Sequence, residues 1–307
     1  MKHVLPLILL CLCTALHAQT WRVMSYNVEN LFDHRHDTLK ADTDFTPQGI
    51  YRWTAARSRR KAEQIARVVC HVGGWDTPLL VGLCEVENSA CLDMLTRCLP
   101  SYPYRYLHRE SPDTRGIDVA LLYDTTRFVP IEWETLPVNL DSLYTRDILY
   151  AMGTLPTGDT LHVMVCHMPS MRGGKAQSDW KRQRAKQVLQ DKVTHILQNR
   201  PQAYILVMGD MNDSPKDDIM GLTNQMTDIA RRGQGTYKWQ GAWSCLDQFY
   251  LSSSLLPHSR VTIYDAAFLL ETDRRYSGQQ PLRTFRGMRY NKNGYSDHLP
   301  IVLDFSL

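Results

Sequence analysis

Six apolar segments of this 307-residue chain each end on, or start from, a side chain able to act on a charged substrate. The run Tyr204 to Met208 stops at Gly209 and delivers Asp210 and Asn212 before Ser214 and Pro215 turn the chain. Asn27 closes "WRVMSYN", Glu85 closes "LLVGLCE" and His167 closes "HVMVCH". Asp247 lies at the start of "LDQFYLS", and Asp297 with His298 precedes "LPIVLDF". One polar strand end is an ordinary turn, since Asp, Asn, Gly and Pro are the usual turn formers. Repetition over six segments points instead to groups that meet at a common rim.

The types of these groups narrow the chemistry. Four carboxylates in one pocket (Glu85, Asp210, Asp247, Asp297) would raise each other's pKa values unless a cation or an imidazolium stood among them. Carboxylate and amide oxygens suit a hard ion such as Mg²⁺ or Mn²⁺, which keeps several waters and often binds substrate phosphate. His167 and His298 are far apart in sequence and have no thiolate companions, so a zinc site fits less well. Such a cluster activates water and neutralises phosphate oxygens.

Strands and helices mixed along the chain must position them. Strands are expected at 21–27, 79–85, 116–123, 162–167, 204–209, 246–252 and 299–305. Ile65, Val68, Val69 and Val72 recur at helical spacing after the basic stretch Arg57 to Lys61, and Ala185, Val188, Leu189, Ile196 and Leu197 do so within 176–198. Residues 148–168 read as a hairpin turning at Thr157, Gly158 and Asp159. No linker or repeat divides the chain, so residues 19–307 are expected to form one domain of sheets flanked by helices.

Composition sets the bounds. With 43% hydrophobic and 22% charged residues, disorder and fibrous architectures are excluded. Lys2 and His3 precede an apolar run, Val4 to Leu16, too short to span a membrane, so residues 1–18 read as a signal peptide cleaved after about Ala18. The expectation is an exported protein, periplasmic or secreted, with no stable membrane insertion and no obligate protein partner. Of the eight cysteines, six lie beyond Ala18 without zinc-type spacing and read as buried, inert thiols. A net charge of +3, or +2 once Lys2 is removed, does not announce a nucleic-acid binder. The basic groups at 57–61, 181–186, 231–232 and 283–292 therefore read as solvated faces, and Trp239 and Trp243 as packing beside the Asp247 strand.

The segments "SYNVENLFD", "GLCEVEN", "RGIDVALLY", "VCHMPS", "GDMNDSP", "LDQFYLS" and "YSDHLP" occur in an order that resembles the endonuclease/exonuclease/phosphatase superfamily, which includes pancreatic deoxyribonuclease and neutral sphingomyelinases. The resemblance covers residues 21–307, and "GDMN" with "SDH" is its most specific part. It implies an α/β fold, a four-layer α/β sandwich of two packed mixed β-sheets flanked by helices, with the active site at the rim. It also implies roles. Glu85 would hold Mg²⁺ or Mn²⁺ with Asn27 and Asp297; Asp210 would orient or deprotonate the attacking water. Asn212 would hold a phosphate oxygen, and His298, set by Asp247, would bind the phosphate. His167 resembles the second histidine of the deoxyribonuclease-like branch, able to protonate a leaving oxygen; apurinic endonucleases place a different residue there. Ser170 and Arg172, in the loop after His167, are candidate substrate contacts. Asp118 could orient His167 or pair with Arg115.

Three functions compete. A metal-dependent nuclease acting on DNA or RNA leads. A phosphodiesterase or phosphatase acting on a lipid or small phosphate ester is the alternative, although no exposed aromatic membrane hairpin of the sphingomyelinase kind is recognisable. A binding protein without catalysis comes third, since no expected catalytic residue is missing.

Overall fold

The computed structural model describes residues 20–139, 143–171, 173–215 and 221–307. The signal-peptide expectation over 1–18 and the candidate contact Arg172 lie outside the described residues.

Alternation of period two organises the sandwich. In the strand Trp21–Leu31, Trp21 and Val23 enter the cluster between the sheets, whereas Met24, Tyr26 and Val28 face helices outside. In Tyr204–Asp210, Leu206 and Met208 point inward, and Ile205 and Val207 pack against the helix Lys175–Asn199. The helices Ala55–Gly73 and Ser89–Arg97 cover the outer face of the first sheet through Ile65, Val68, Val69, Leu92 and Leu95. Four layers result because both faces of both sheets are apolar. Each such aliphatic side chain contributes about 1.5–3 kcal/mol when fully buried.

The first sheet runs Ser259–Ile263, Ile301–Phe305, Trp21–Leu31, Leu80–Val86, Asp118–Asp124, Tyr104–His108. The second runs Val129–Leu136, Ile148–Thr154, Thr160–His167, Tyr204–Asp210, Asp247–Ser252, Leu222–Asn224. Each sheet has one parallel pair at its centre, Trp21–Leu31 with Leu80–Val86 and Thr160–His167 with Tyr204–Asp210. These four strands carry Asn27, Glu85, His167 and Asp210 to one rim.

All seven expected strands and the hairpin over 148–168 are present. Four further sheet strands were not anticipated, and all four lie at sheet edges. Val129–Leu136 shows why: an edge strand with Pro130, Glu132 and Glu134 lacks a clean apolar alternation. The six described cysteines are free, and Cys84, Cys91, Cys166 and Cys245 are buried, whereas Cys70 is exposed. Among the described residues no helix is long and apolar enough to cross a membrane.

Candidate active site

The inward alternation of the second sheet runs on past its apolar residues. After Val163 and Val165 comes His167, after Leu206 and Met208 comes Asp210, and before Phe249 and Leu251 comes Asp247. Ladder register then places His167 opposite Asp210 and Asp247 opposite Asp210, so three adjacent strands present one row of polar groups. Gly209 permits the close fit, since at φ 138° a Cβ there would lie 1.8 Å from the Cys166 carbonyl oxygen.

The first sheet faces this row and closes on it. Asn27 Nδ2 donates across the gap to Asp210 Oδ2 at 3.0 Å, and His298 Nδ1 lies 2.7 Å from Asp247 Oδ2. The carboxylate accepts the Nδ1–H, which fixes the tautomer and leaves Nε2 facing Asp210 Oδ2 at 3.9 Å. His167 Nε2 approaches the same oxygen at 3.7 Å. Asp210 Oδ1 accepts the Asn212 backbone N–H at 2.8 Å, while Asn212 Nδ2 donates to the Met168 carbonyl at 3.0 Å.

Glu85 reaches the rim by a different device. Leu83 faces out and Cys84 in, yet Val86 faces out again, so Glu85 is the extra residue of a β-bulge. Its φ of 68°, with 53° at Glu29 and 62° at Asn30, is left-handed backbone in non-glycine residues, which costs on the order of 1–3 kcal/mol each and gathers at functional sites. The Asn30 N–H donates to Glu85 Oε2 at 3.0 Å and holds the carboxylate in place.

Electrostatics separate the two histidines. Burial pulls the His298 imidazolium down, but the carboxylates of Asp247, Asp210 and Asp297 outweigh it and hold its pKa well above the ordinary histidine value. Burial, with the charges of Arg146, Arg115 and His298, pushes His167 well below that value. His167 therefore favours its neutral form, in which the ring can donate a hydrogen bond toward a leaving oxygen. Burial raises Asp210 to about 6, aided by Asp247 and opposed by His298, the Asn212 N–H and the Asn27 amide.

A divalent cation would find hard donors in Glu85 and Asp297, both half-buried and both close enough to the buried ammonium of Lys61 to oppose the fall that burial imposes on it. Among the described residues no three His, Cys, Asp or Glu side chains form a closed cage. A Mg²⁺-like ion needs only one or two carboxylates and keeps its waters, so the donor set fits. The Asn27 amide is engaged at both ends, its oxygen accepting the Glu29 N–H at 3.0 Å. One lone pair of that oxygen remains for an ion.

The chain matches the family model described as Endonuclease/Exonuclease/phosphatase family over residues 22–306. It belongs to that family. Family members hydrolyse phosphate esters, generally with divalent metals, and this chain is an enzyme of that class. Among solved structures, truncated TDP2 of Caenorhabditis elegans is similar at 18% identity and TM-score 0.60, covering 94% of this chain and 98% of that one. A mannosyl-6-phosphatase of Bacteroides thetaiotaomicron VPI-5482 shares 16% identity with TM-score 0.55, covering 94% and 100%. TDP2 of D. rerio complexed with single strand DNA product shares 19% identity with TM-score 0.53, covering 94% and 99%. At such identities the likeness speaks to the fold, the four-layer sandwich of this family. No curated protein matches the chain.

Of the sequence candidates, the structure brings Asn27, His167, Asp210, Asn212, Asp247 and His298 together, with Glu85 and Asp297 beside them. Ser170 is exposed, and no described contact ties it to the cluster. Asp118 pairs with neither candidate; it accepts from Ser111 and faces His108 at 3.7 Å. Sequence reasoning missed Ser296, whose Oγ donates to the Asn27 carbonyl at 2.7 Å and accepts the His298 N–H at 3.0 Å, pinning the histidine loop to the first sheet. It also missed Arg146, which binds the carbonyls of His167 and Met168 and pairs with Asp113 at 3.0 Å. Lys61, expected on a solvated face, is 2% exposed and bonds Thr284 Oγ1 and the Tyr295 carbonyl.

Proposed function

We propose that this protein is an exported metal-dependent phosphodiesterase that cleaves nucleic acid by attack of an activated water. One observation carries the reading. Asp210, with a pKa raised to about 6, faces the protonated His298 while Asp247 backs that histidine, so a base and an anion-binding group share one wall. Asn27 and the Asn212 N–H fix the Asp210 carboxylate so that its remaining lone pairs take the proton of a water. His298 Nε2–H bonds a phosphoryl oxygen and stabilises the charge that grows there. The Asn212 side chain, held against the Met168 carbonyl, is placed to contact a second phosphate oxygen. His167 donates a hydrogen bond to the leaving oxygen, which takes up a proton from solvent water as it departs. When bound between Glu85, Asp297 and the Asn27 oxygen, Mg²⁺ or Mn²⁺ would neutralise phosphate oxygens and lower the pKa of water.

The D. rerio TDP2 complex with single strand DNA product supports the nucleic-acid choice, and the mannosyl-6-phosphatase supports the small-ester alternative. Plasmid DNA, RNA, sphingomyelin and inositol phosphates, each with Mg²⁺, Mn²⁺ or chelator, separate the two. Chelator should abolish turnover on nucleic acid and either metal restore it, while Glu85→Gln should raise the metal concentration needed by about tenfold or more. Full activity in excess chelator, or action on inositol phosphates alone, would overturn the assignment. Export rests on the sequence of residues 1–18, and mass spectrometry of protein from fractionated cells should find a mature chain starting near Gln19. An intact Met1 in the soluble cell interior would refute it.

A further inference from the structure

A cleft of about 690 Å³ lies beside the catalytic wall, between two hairpins. Tyr237–Trp239 pairs with Ala242–Ser244 around Gln240 and Gly241, whose φ values of 47° and 85° make the tight two-residue turn suited to twisted strands. Leu270–Thr272 pairs with Gln279–Pro281 to form the second hairpin. Lys238, 6% exposed, locks them together: its Nζ lies 3.0 Å from Asp273 Oδ2 and donates to the Ser277 carbonyl at 2.8 Å. A Cβ on Gly241 would sit 3.0 Å from that of Tyr276, so the first turn rests directly on the second hairpin. The cleft is thus a built feature with a buried polar lock.

Its charge is one-sided. Lys238, Arg274, Arg275, Arg283 and Arg286 line it against only Glu271 and Asp273. Asp273 takes Lys238 and Glu271 takes Arg286, which leaves Arg274 and Arg275 without an ion-pair carboxylate among the described residues, while Arg283 reaches the field of the Glu29 carboxyl and bonds Tyr237. Two flat faces stand in the same cleft: Trp239 is 59% and Tyr276 39% exposed, and the Arg275 guanidinium lies 5.2 Å from the Tyr276 ring centre. Trp239 does not pack away as its sequence context suggests, nor is Arg283 merely part of a solvated face.

The cleft also adjoins the reacting groups. The Arg283 guanidinium is 6.0 Å from the Tyr237 ring, the Tyr237 ring is 5.0 Å from the His298 imidazole, and Tyr237 and His298 share a β-bridge. A chain leaving the His298 side of the site meets Arg283 first.

We propose that this cleft binds the single strand of nucleic acid that continues from the scissile phosphate, with Arg274, Arg275 and Arg283 on successive phosphates and Trp239 and Tyr276 stacking on bases. The proposal rests on the reading of the Asp210 site as a phosphodiesterase centre. A single phosphate cannot use three guanidinium groups spread along a cleft of this size, and a polyphosphorylated sugar would leave both rings unused. A nucleotide strand repeats both features, charge and flat ring, at every residue.

The test reads binding apart from turnover. Fluorescence anisotropy of a labelled single-stranded DNA decamer is measured on the Asp210→Asn protein and on the same protein carrying Arg274→Ala and Arg275→Ala, both exposed positions. The added pair should weaken binding by about tenfold or more and flatten the log–log salt slope by about 1.4, since each phosphate contact on a single strand contributes about 0.7. Arg231→Ala with Arg232→Ala, a basic pair outside the cleft, serves as control and should match the parent. Unchanged decamer binding, equal weakening by the control pair, or displacement by an inositol polyphosphate but not by unlabelled strand would overturn the proposal. Arginine-dependent binding together with a wild-type enzyme that cleaves no nucleic acid would instead refute the catalytic reading and leave the cleft assigned.

Discussion

Asp210→Asn should lower kcat on a phosphodiester by about 10²–10⁴ while changing KM no more than a few-fold, because the lost proton acceptor matters mainly in the transition state. The substitution keeps the shape of a side chain that is 2% exposed, but its NH₂ then faces one of the two donors that hold the carboxylate, the Asn27 amide or the Asn212 N–H, so the melting temperature is measured beside turnover. Two further readouts separate base catalysis from mere positioning. The wild-type profile should rise with pH through about 6, as the carboxyl raised by burial gives up its proton, and the variant should lack that limb. His298→Ala should be comparably damaging, and the double variant should fall little further, since groups acting on one water and one phosphoryl group are non-additive. Asp213→Asn is the control, for Asp213 accepts the Ser214 N–H within the turn. Retained turnover in Asp210→Asn, or an equal loss in Asp213→Asn, would show that the base has been misplaced.

Much of this site was legible because period two and strand ends are written locally. Once Leu206 and Met208 are recognised as inward-facing, Asp210 follows by alternation, and the same holds for His167 and Asp247. Ladder register could not be read, since it depends on which strands neighbour one another, and so the Asp210 row emerged only with the sheet order. Glu85 was found as a strand-end acid without its bulge, which shows in the sequence only as a missed alternation between Cys84 and Val86.

What stayed hidden was set by partners distant in sequence. Lys61 looks like any lysine in a basic helix stretch; its burial is decided by Thr284 and Tyr295, more than two hundred residues away. Glu29 is its counterpart. Burial and Asp297 raise that carboxyl to about 7, while Lys61 and the Thr284 N–H pull it down. Between them the two residues tether the segment that follows Arg283, Glu29 accepting the N–H groups of Thr284 and Phe285 and Lys61 donating to Thr284 Oγ1. Buried opposite charges contribute little net stability, but removing one of them leaves the other uncompensated. The basic cleft was equally invisible, because charge counted along a chain does not say which carboxylates are already taken.

Asp247→Asn should lower kcat by about 10³–10⁴, the scale seen when a carboxylate that fixes a catalytic histidine becomes an amide. Asp247 is 0% exposed, and its Oδ2 accepts the His298 Nδ1–H at 2.7 Å. An amide oxygen can replace that acceptor, but it carries no charge, so burial, which already pulls the imidazolium down, meets only Asp210 and Asp297 in opposition. The sign follows from the raised pKa. In the wild type the imidazolium persists until pH rises through its elevated value, which gives an alkaline limb; in Asp247→Asn that limb should move to lower pH. Loss of the Asp247 charge should at the same time lower the Asp210 pKa, since Asp247 is among the groups that raise it. Both limbs of the kcat profile therefore shift toward acid, and activity lost at neutral pH should partly return as the pH falls. A purely structural role for Asp247 would lower the melting temperature and leave both limbs where they were, and a profile of unchanged shape at reduced height would sink the assignment.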